Sequence, residues 1–193
     1  MGWLDGILGR SKPPEADLDV LFGVPQAALT LEAAGFTATG AGAVCFRDVD
    51  GVSDDRVMAE VQQVIGTDAS ATVAVTDDGQ GFRWLQVTRA PGDLQGLVSD
   101  LHAANSSMAD AGFGPQLLCS TVLFATPSGG PLGLVYLFKQ GTFYPFAPQA
   151  GRRRDNAVEL QVRALVEGDV PVEKTLERWL ALWDASDVVQ RIG

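Results

Sequence analysis

Residues Pro115 to Gln161 read P-Q-L-L-C-S-T-V-L-F-A-T-P-S-G-G-P-L-G-L-V-Y-L-F-K-Q-G-T-F-Y-P-F-A-P-Q-A-G-R-R-R-D-N-A-V-E-L-Q, the densest apolar and aromatic material in the chain. Leu117 to Thr126 is rich in Leu, Val, Thr and Phe, which suit a pleated strand. Pro127-Ser128-Gly129-Gly130-Pro131 breaks the run, because Gly accepts positive φ and Pro has no N–H for a ladder. Leu132 to Lys139 reads as a second strand, Gln140-Gly141 as a tight connection, and Thr142 to Phe146 as a third strand. Pro145 and Pro148 place that third strand at a sheet edge or make it short. Past the arginines, Val158, Leu160, Val162 and Ala164 alternate with Glu159, Gln161 and Arg163, so Ala157 to Val166 reads as a last, half-buried strand. The expectation is α+β: a mainly antiparallel sheet, a meander from about 117 to 166, packed against helices.

Outward from this stretch the signals alternate. Thr39 to Phe46 leads into a strand through small residues. Gly40 and Gly42 lack the rest of a phosphate-binding loop, so close backbone packing explains them better. Ser53 suits an N-cap, and Val57, Met58, Val61, Val64 and Ile65 give a helix face. Ala71 to Val75 and Phe82 to Val87 read as strands joined at Asp77-Asp78-Gly79, where turn chemistry is the better reading than acid–base work. Pro91-Gly92-Asp93 opens a helix to about Asp110, with Leu94, Leu97, Val98, Leu101 and Met108 on one face. Val170-Pro171 reads as the start of a final helix striped by Val172, Leu176, Trp179, Leu180 and Trp183.

At 193 residues with 46% hydrophobic content, the chain can bury one core. Three parts are expected: an N-terminal segment and spacer over 1–14, a single α+β domain over 15–185, and a tail over 186–193. A net charge of −10 repels phosphate backbones, so nucleic acid is excluded as a partner. No signal peptide or membrane-length apolar run is visible, which points to a cytoplasmic protein.

Candidate chemistry is sparse. The two cysteines, Cys45 and Cys119, fall in apolar strands and form no metal or redox motif. The single histidine, His102, shares a helix face with Ser106, where interior N–H groups are already bonded and no oxyanion donor is expected. No catalytic residue, cofactor or metal ligand is assigned, and the chain reads as a non-enzyme. Asn105-Ser106-Ser107 matches a glycosylation acceptor only in form. Contact residues are another matter. Trp3, Leu4, Ile7 and Leu8 would share one face of a helix, but three glycines disfavour a free helix, so the segment suits a docking peptide or interfacial anchor that orders on contact, or a terminus that packs back on its own domain. Phe143, Tyr144 and Phe146 on an edge strand suit partner addition unless they are core. Arg152, Arg153 and Arg154 suit an acidic partner or lipid head group, or simply offset nearby acid. A deep polar pocket around His102 or Cys119 would favour a small-ligand protein instead.

Several strings carry a family likeness: Thr39 to Phe46; Gly81-Phe82-Arg83-Trp84; Leu101-His102-Ala103-Ala104-Asn105-Ser106; Gly112 to Cys119; Gly141-Thr142-Phe143-Tyr144-Pro145-Phe146-Ala147-Pro148; Arg153-Arg154-Asp155-Asn156-Ala157; and Arg178-Trp179 with Leu182-Trp183-Asp184. With the N-terminal segment, they resemble the PspA-associated protein PspAB family over nearly the full length. The resemblance implies an accessory or adaptor role in the envelope-stress (phage-shock) response. The implied partners are PspA, a protein that coats stressed membranes, and the membrane protease HtpX. It implies no catalytic residues. A peripheral contact with the inner face of the membrane is the alternative. The order of elements also loosely resembles the type III secretion chaperone-like fold.

Overall fold

The structure, a computed structural model, describes residues 16–48, 58–59, 61–63, 65 and 68–183. The expected N-terminal segment, the Ser53 cap, and the tail over 186–193 lie outside the described residues.

Six strands form one antiparallel sheet: β1 Thr37–Arg47, β2 Thr72–Asp77, β3 Phe82–Thr88, β4 Leu117–Ala125, β5 Pro131–Leu137 and β6 Thr142–Phe146, in the spatial order β2-β3-β1-β4-β5-β6. The meander β4-β5-β6 follows the expected hairpins, with Ser120 opposite Tyr136 and Tyr136 opposite Phe143. A two-strand ribbon, β7 Pro148–Gln149 and β8 Arg153–Arg154, follows it.

Alternation along the strands sorts side chains onto two faces. Val44, Phe46, Leu85, Val87, Val122, Phe124, Leu134, Tyr136 and Phe143 point to the helical side. There lie α1 Val24–Ala33, α2 Leu94–Met108 and α3 Asn156–Val166, together with the buried, helical Met58, Val61 and Ile65. Helix α2 approaches the sheet over Gly42, where a Cβ would lie 2.9 Å from Leu101 Cδ1 and 2.8 Å from Thr121 O. Only a residue without a side chain permits that contact. Asp93 caps α2 by accepting from the Gly96 N–H at 3.1 Å.

Two expected elements are different in the structure. Ala157 to Val166 is not a strand but α3, so the meander ends at Phe146. Asp155 provides the start signal, its side chain accepting from the Val158 N–H at 3.1 Å. The apolar set that matters is Val158, Val162 and Val166, four residues apart; Leu160, which completed the apparent alternation, is exposed. The segment after Pro171 is likewise not a helix. A single 3-10 turn, Leu176–Arg178, is the only helical piece in an otherwise irregular path to Trp183 among the described residues. Leu176 and Leu180, two members of the supposed stripe, are exposed while Trp179 is buried.

Candidate functional site

Among the described residues no helix lies over the second face of the sheet. It presents Ala43, Cys45, Trp84, Cys119, Val135, Leu137, Tyr144 and Phe146, and the chain from Trp179 to Trp183 crosses it. Trp179 stacks on Tyr144 at 6.0 Å, and Trp183 meets Phe146 edge-on at 5.2 Å. Tyr144 donates its hydroxyl to Leu180 O at 3.0 Å, and burial holds that phenol protonated well above the usual range. The indole N–H of Trp179 donates to Glu173 O at 3.1 Å. This strap is why the strands are buried on both sides and read as nearly unbroken apolar runs.

Between strap and sheet lies a cavity of about 270 Å³, lined mainly by Phe82, Trp84, Leu118, Leu182, Trp183 and the two cysteines. Cys45 and Cys119 are direct partners across β1 and β4, both buried and both free thiols. A hydrogen bond with Cys119, then burial, pushes the Cys45 thiol far above its ordinary pKa. Cys45 is therefore protonated at neutral pH and is a poor nucleophile or metal ligand.

The expected contact residues fare differently. Trp3, Leu4, Ile7 and Leu8 lie outside the described residues. Phe143, Tyr144 and Phe146 are buried to within 1% and belong to the core. The free edge of β6 is also taken. Phe143 N–H donates to Pro171 O at 2.8 Å, Glu173 N–H donates to Phe143 O at 2.7 Å, and Arg154 Nη2 donates to Pro145 O at 3.3 Å. Strand addition there is blocked by the chain itself. At the other end of the sheet, β2 hydrogen-bonds only to β3 among the described residues.

The three arginines divide. Arg152 and Arg153 sit on the exposed ribbon turn. Arg154 is structural: its Nε donates to Glu159 Oε1 at 2.8 Å, its Nη1 to Trp179 O at 2.6 Å, and its guanidinium lies 5.1 Å from the Phe146 ring centroid. It joins sheet, α3 and strap.

His102 faces no nucleophile. Its Nε2 is 3.4 Å from Asp19 Oδ1 and its ring is 4.9 Å from Phe22. Asn105 is fully buried, donating to Ser120 Oγ and Leu101 O, so it cannot be glycosylated in the fold. The polar cluster that sequence reading missed centres on buried Arg89. It donates to Asp100, Asp93, Asp68 and Ser70, the last three at 2.7, 2.8 and 2.7 Å. Three carboxylates raise the guanidinium pKa, Asp100 most, and every guanidinium nitrogen is engaged. The cluster ties β3 to the start of α2 and to the loop before β2. Nothing in the local sequence distinguishes Arg89 from a surface arginine.

Among the described residues no group of His, Cys, Asp or Glu could hold a metal ion, and no helix is long and apolar enough to cross a membrane. No curated protein matches the chain. The pattern of one family does match, over residues 1–187, and its description is PspA associated protein B. The chain belongs to the PspAB family.

Proposed function

We propose that this protein is a non-catalytic adaptor of the envelope-stress response that binds a PspA-type protein at the cytoplasmic side of the membrane. The observation that carries this reading is the family match, which begins at residue 1 and so includes the N-terminal segment as well as the domain. The domain supports it in one respect, by using the aromatic edge strand itself. It covers both faces of the sheet and occupies the β6 edge with residues 171–173. With that edge used, Trp3, Leu4, Ile7 and Leu8 are the proposed apolar contact set, and Arg152 and Arg153 on the ribbon the proposed cationic one. Apolar residues at positions 3, 4, 7 and 8 have the spacing of helix-in-groove docking should the segment become helical on its partner. HtpX is a second candidate partner, reached through the same segment.

The test is co-purification of purified PspA-type protein with the full chain and with a chain lacking residues 1–10. Retention by the full chain and loss on truncation is the expected result. Retention by both moves the dock into the domain, and retention by neither removes the adaptor reading. Direct membrane contact is the second reading, favoured by the same apolar residues and separated by vesicle flotation. Four apolar side chains give weak interfacial binding by themselves, and a net charge of −10 opposes anionic lipid.

A further inference from the structure

We infer that the outer edge of β2 pairs antiparallel with the same edge of a second copy of this chain, joining the two sheets about a twofold axis at Ala74. Backbone geometry comes first. The Asp78 N–H donates to Phe82 O at 3.1 Å, and the bonded pairs of an antiparallel ladder recur at every second residue. Thr76, Ala74 and Thr72 are therefore the residues bonded to β3, opposite Trp84, Gln86 and Thr88. The N–H and C=O groups of Val73 and Val75 point the other way, out of the sheet's edge. Strand β2 is the last in the sheet and hydrogen-bonds only to β3 among the described residues, and Thr72, Ala74 and Asp77 are exposed. The β6 edge is taken by residues 171–173, but this one carries none of the devices that keep edges apart. Thr72 to Thr76 has no charge and no Pro, and its ladder to β3 runs without a register shift.

The strand's own sequence selects the occupant. In a self-pair centred on Ala74, Val73 faces Val75 of the second copy, and each such pair exchanges both of its backbone hydrogen bonds. On the helical side Val73 and Val75, already packed against the core, then meet valine. On the other side Thr72 meets Thr76 and Ala74 meets its twin. Such β-branched and Thr–Thr cross-strand pairs are favourable. The neighbouring registers are worse. Centred on Val75, the pair sets Val73 against Asp77. Centred on Val73, it sets Val75 against Ala71, whose N–H already donates to Asp68 O at 3.0 Å. Asp77, the one charge on β2, lies opposite Arg83 within its own chain. Centring on Ala74 keeps the two copies of Asp77 at opposite ends of the pair, so no like charges are opposed along the strand. Main-chain bonds alone would accept any extended segment; the valine and threonine matching singles out this one.

The test is sedimentation of the full-length protein over a range of concentrations. A single strand pair is a small interface, and a net charge of −10 on each copy opposes association. The expected result is a reversible dimer in the micromolar range that tightens as salt screens the repulsion. Ala74 is exposed, so A74D and A74K leave the monomer folded, which urea midpoints of dilute protein check. Either variant alone opposes two like charges on the axis and is expected to weaken the dimer about tenfold or more. An equimolar mixture of A74D and A74K is expected to restore association. Hydrogen exchange gives a second readout: protection of the Val73 and Val75 amides is expected to rise with protein concentration. A native protein that stays monomeric throughout overturns the proposal, and slow exchange of those two amides in that monomer would assign the edge to another segment of this chain. Dimerisation indifferent to A74D, or no restoration in the mixture, overturns β2 as the interface.

Discussion

Arg154 and Glu159 face each other across the turn into α3, guanidinium to carboxylate at 2.8 Å, with the Glu159 side chain only 3% exposed. The same carboxylate oxygen accepts from the Ala147 N–H at 2.9 Å. The pair thus holds the exit of β6, the first turn of α3 and, through Trp179 O, the strap. Removing one partner of a buried pair strands the other, which costs about 3–5 kcal/mol. R154A is expected to fall at the lower end, about 3 kcal/mol, because Arg154 retains some solvent contact. Urea denaturation measures it. The double variant R154A/E159Q should be less destabilised than the sum of the two singles, since the stranded charge is gone. Additive losses would remove the pair from the account.

Gly40 and Gly79 both have positive φ, 77° and 70°, but their surroundings differ. A Cβ at Gly40 would sit 2.3 Å from Arg89 O; at Gly79 it would meet nothing within 4 Å. G79A therefore carries only the left-handed backbone cost of about 1–2 kcal/mol. G40A adds a backbone collision in the middle of the sheet and is expected to exceed 3 kcal/mol or to prevent folding. Thermal unfolding of the two variants side by side separates steric from conformational cost. Equal losses would mean that the strand shifts freely at Gly40.

The sheet was legible in the sequence because its turns carry their own chemistry. Pro127 to Pro131, Gln140-Gly141 and Asp77-Asp78-Gly79 each announce a reversal, and the strands between them are apolar whichever face they use. Ala157 to Val166 was misread because Val158 and Val162 satisfy both a period of two and a period near 3.6. Asp155, the cap that decides between them, lies just outside that window. The strap was misread for a related reason. Trp179 and Trp183 are four apart, as in a helix, yet they reach Tyr144 and Phe146 from an irregular, non-helical segment. The cavity had no local signal at all. Cys45 and Cys119 are 74 positions apart, and only strand register puts them together.

Glu173 sets the acid limit of the strap. Burial by itself would raise its pKa. Donation from the Thr175 N–H at 2.8 Å and the Thr142 hydroxyl at 3.1 Å, with Arg178 nearby, outweighs burial and holds it below the usual value. A folded pKa below the unfolded one means that the stabilisation is complete above the unfolded value, about 4.3. It is then lost as pH falls through the folded value. Asp68, held down to about 2 mainly by the Ser70 N–H, extends the same trend to lower pH. E173Q is expected to be less stable than the native protein at pH 7, and the gap should narrow steadily below pH 4. Urea midpoints at pH 7, 4 and 2.5 give the comparison. A gap independent of pH would assign the loss to packing instead of charge.

The opposed thiols of Cys45 and Cys119 should be silent in the native state. Both are buried, and hydrogen bonding within the pair, followed by burial, keeps Cys45 protonated. A disulfide reagent needs thiolate and a path to sulfur. The cavity supplies some path, but Asp78 at its mouth repels an anionic reagent such as Ellman's. Labelling of the native protein at pH 8 should therefore follow unfolding events, rise with urea, and reach two equivalents only when the fold is lost. A neutral alkylating agent, which Asp78 does not repel, should react with the same dependence if protonation is the barrier. If the neutral agent labels quickly while Ellman's reagent does not, charge at the mouth controls access and the thiols are more acidic than their burial implies. Rapid labelling by both would show that the strap opens far more readily than the sheet beneath it.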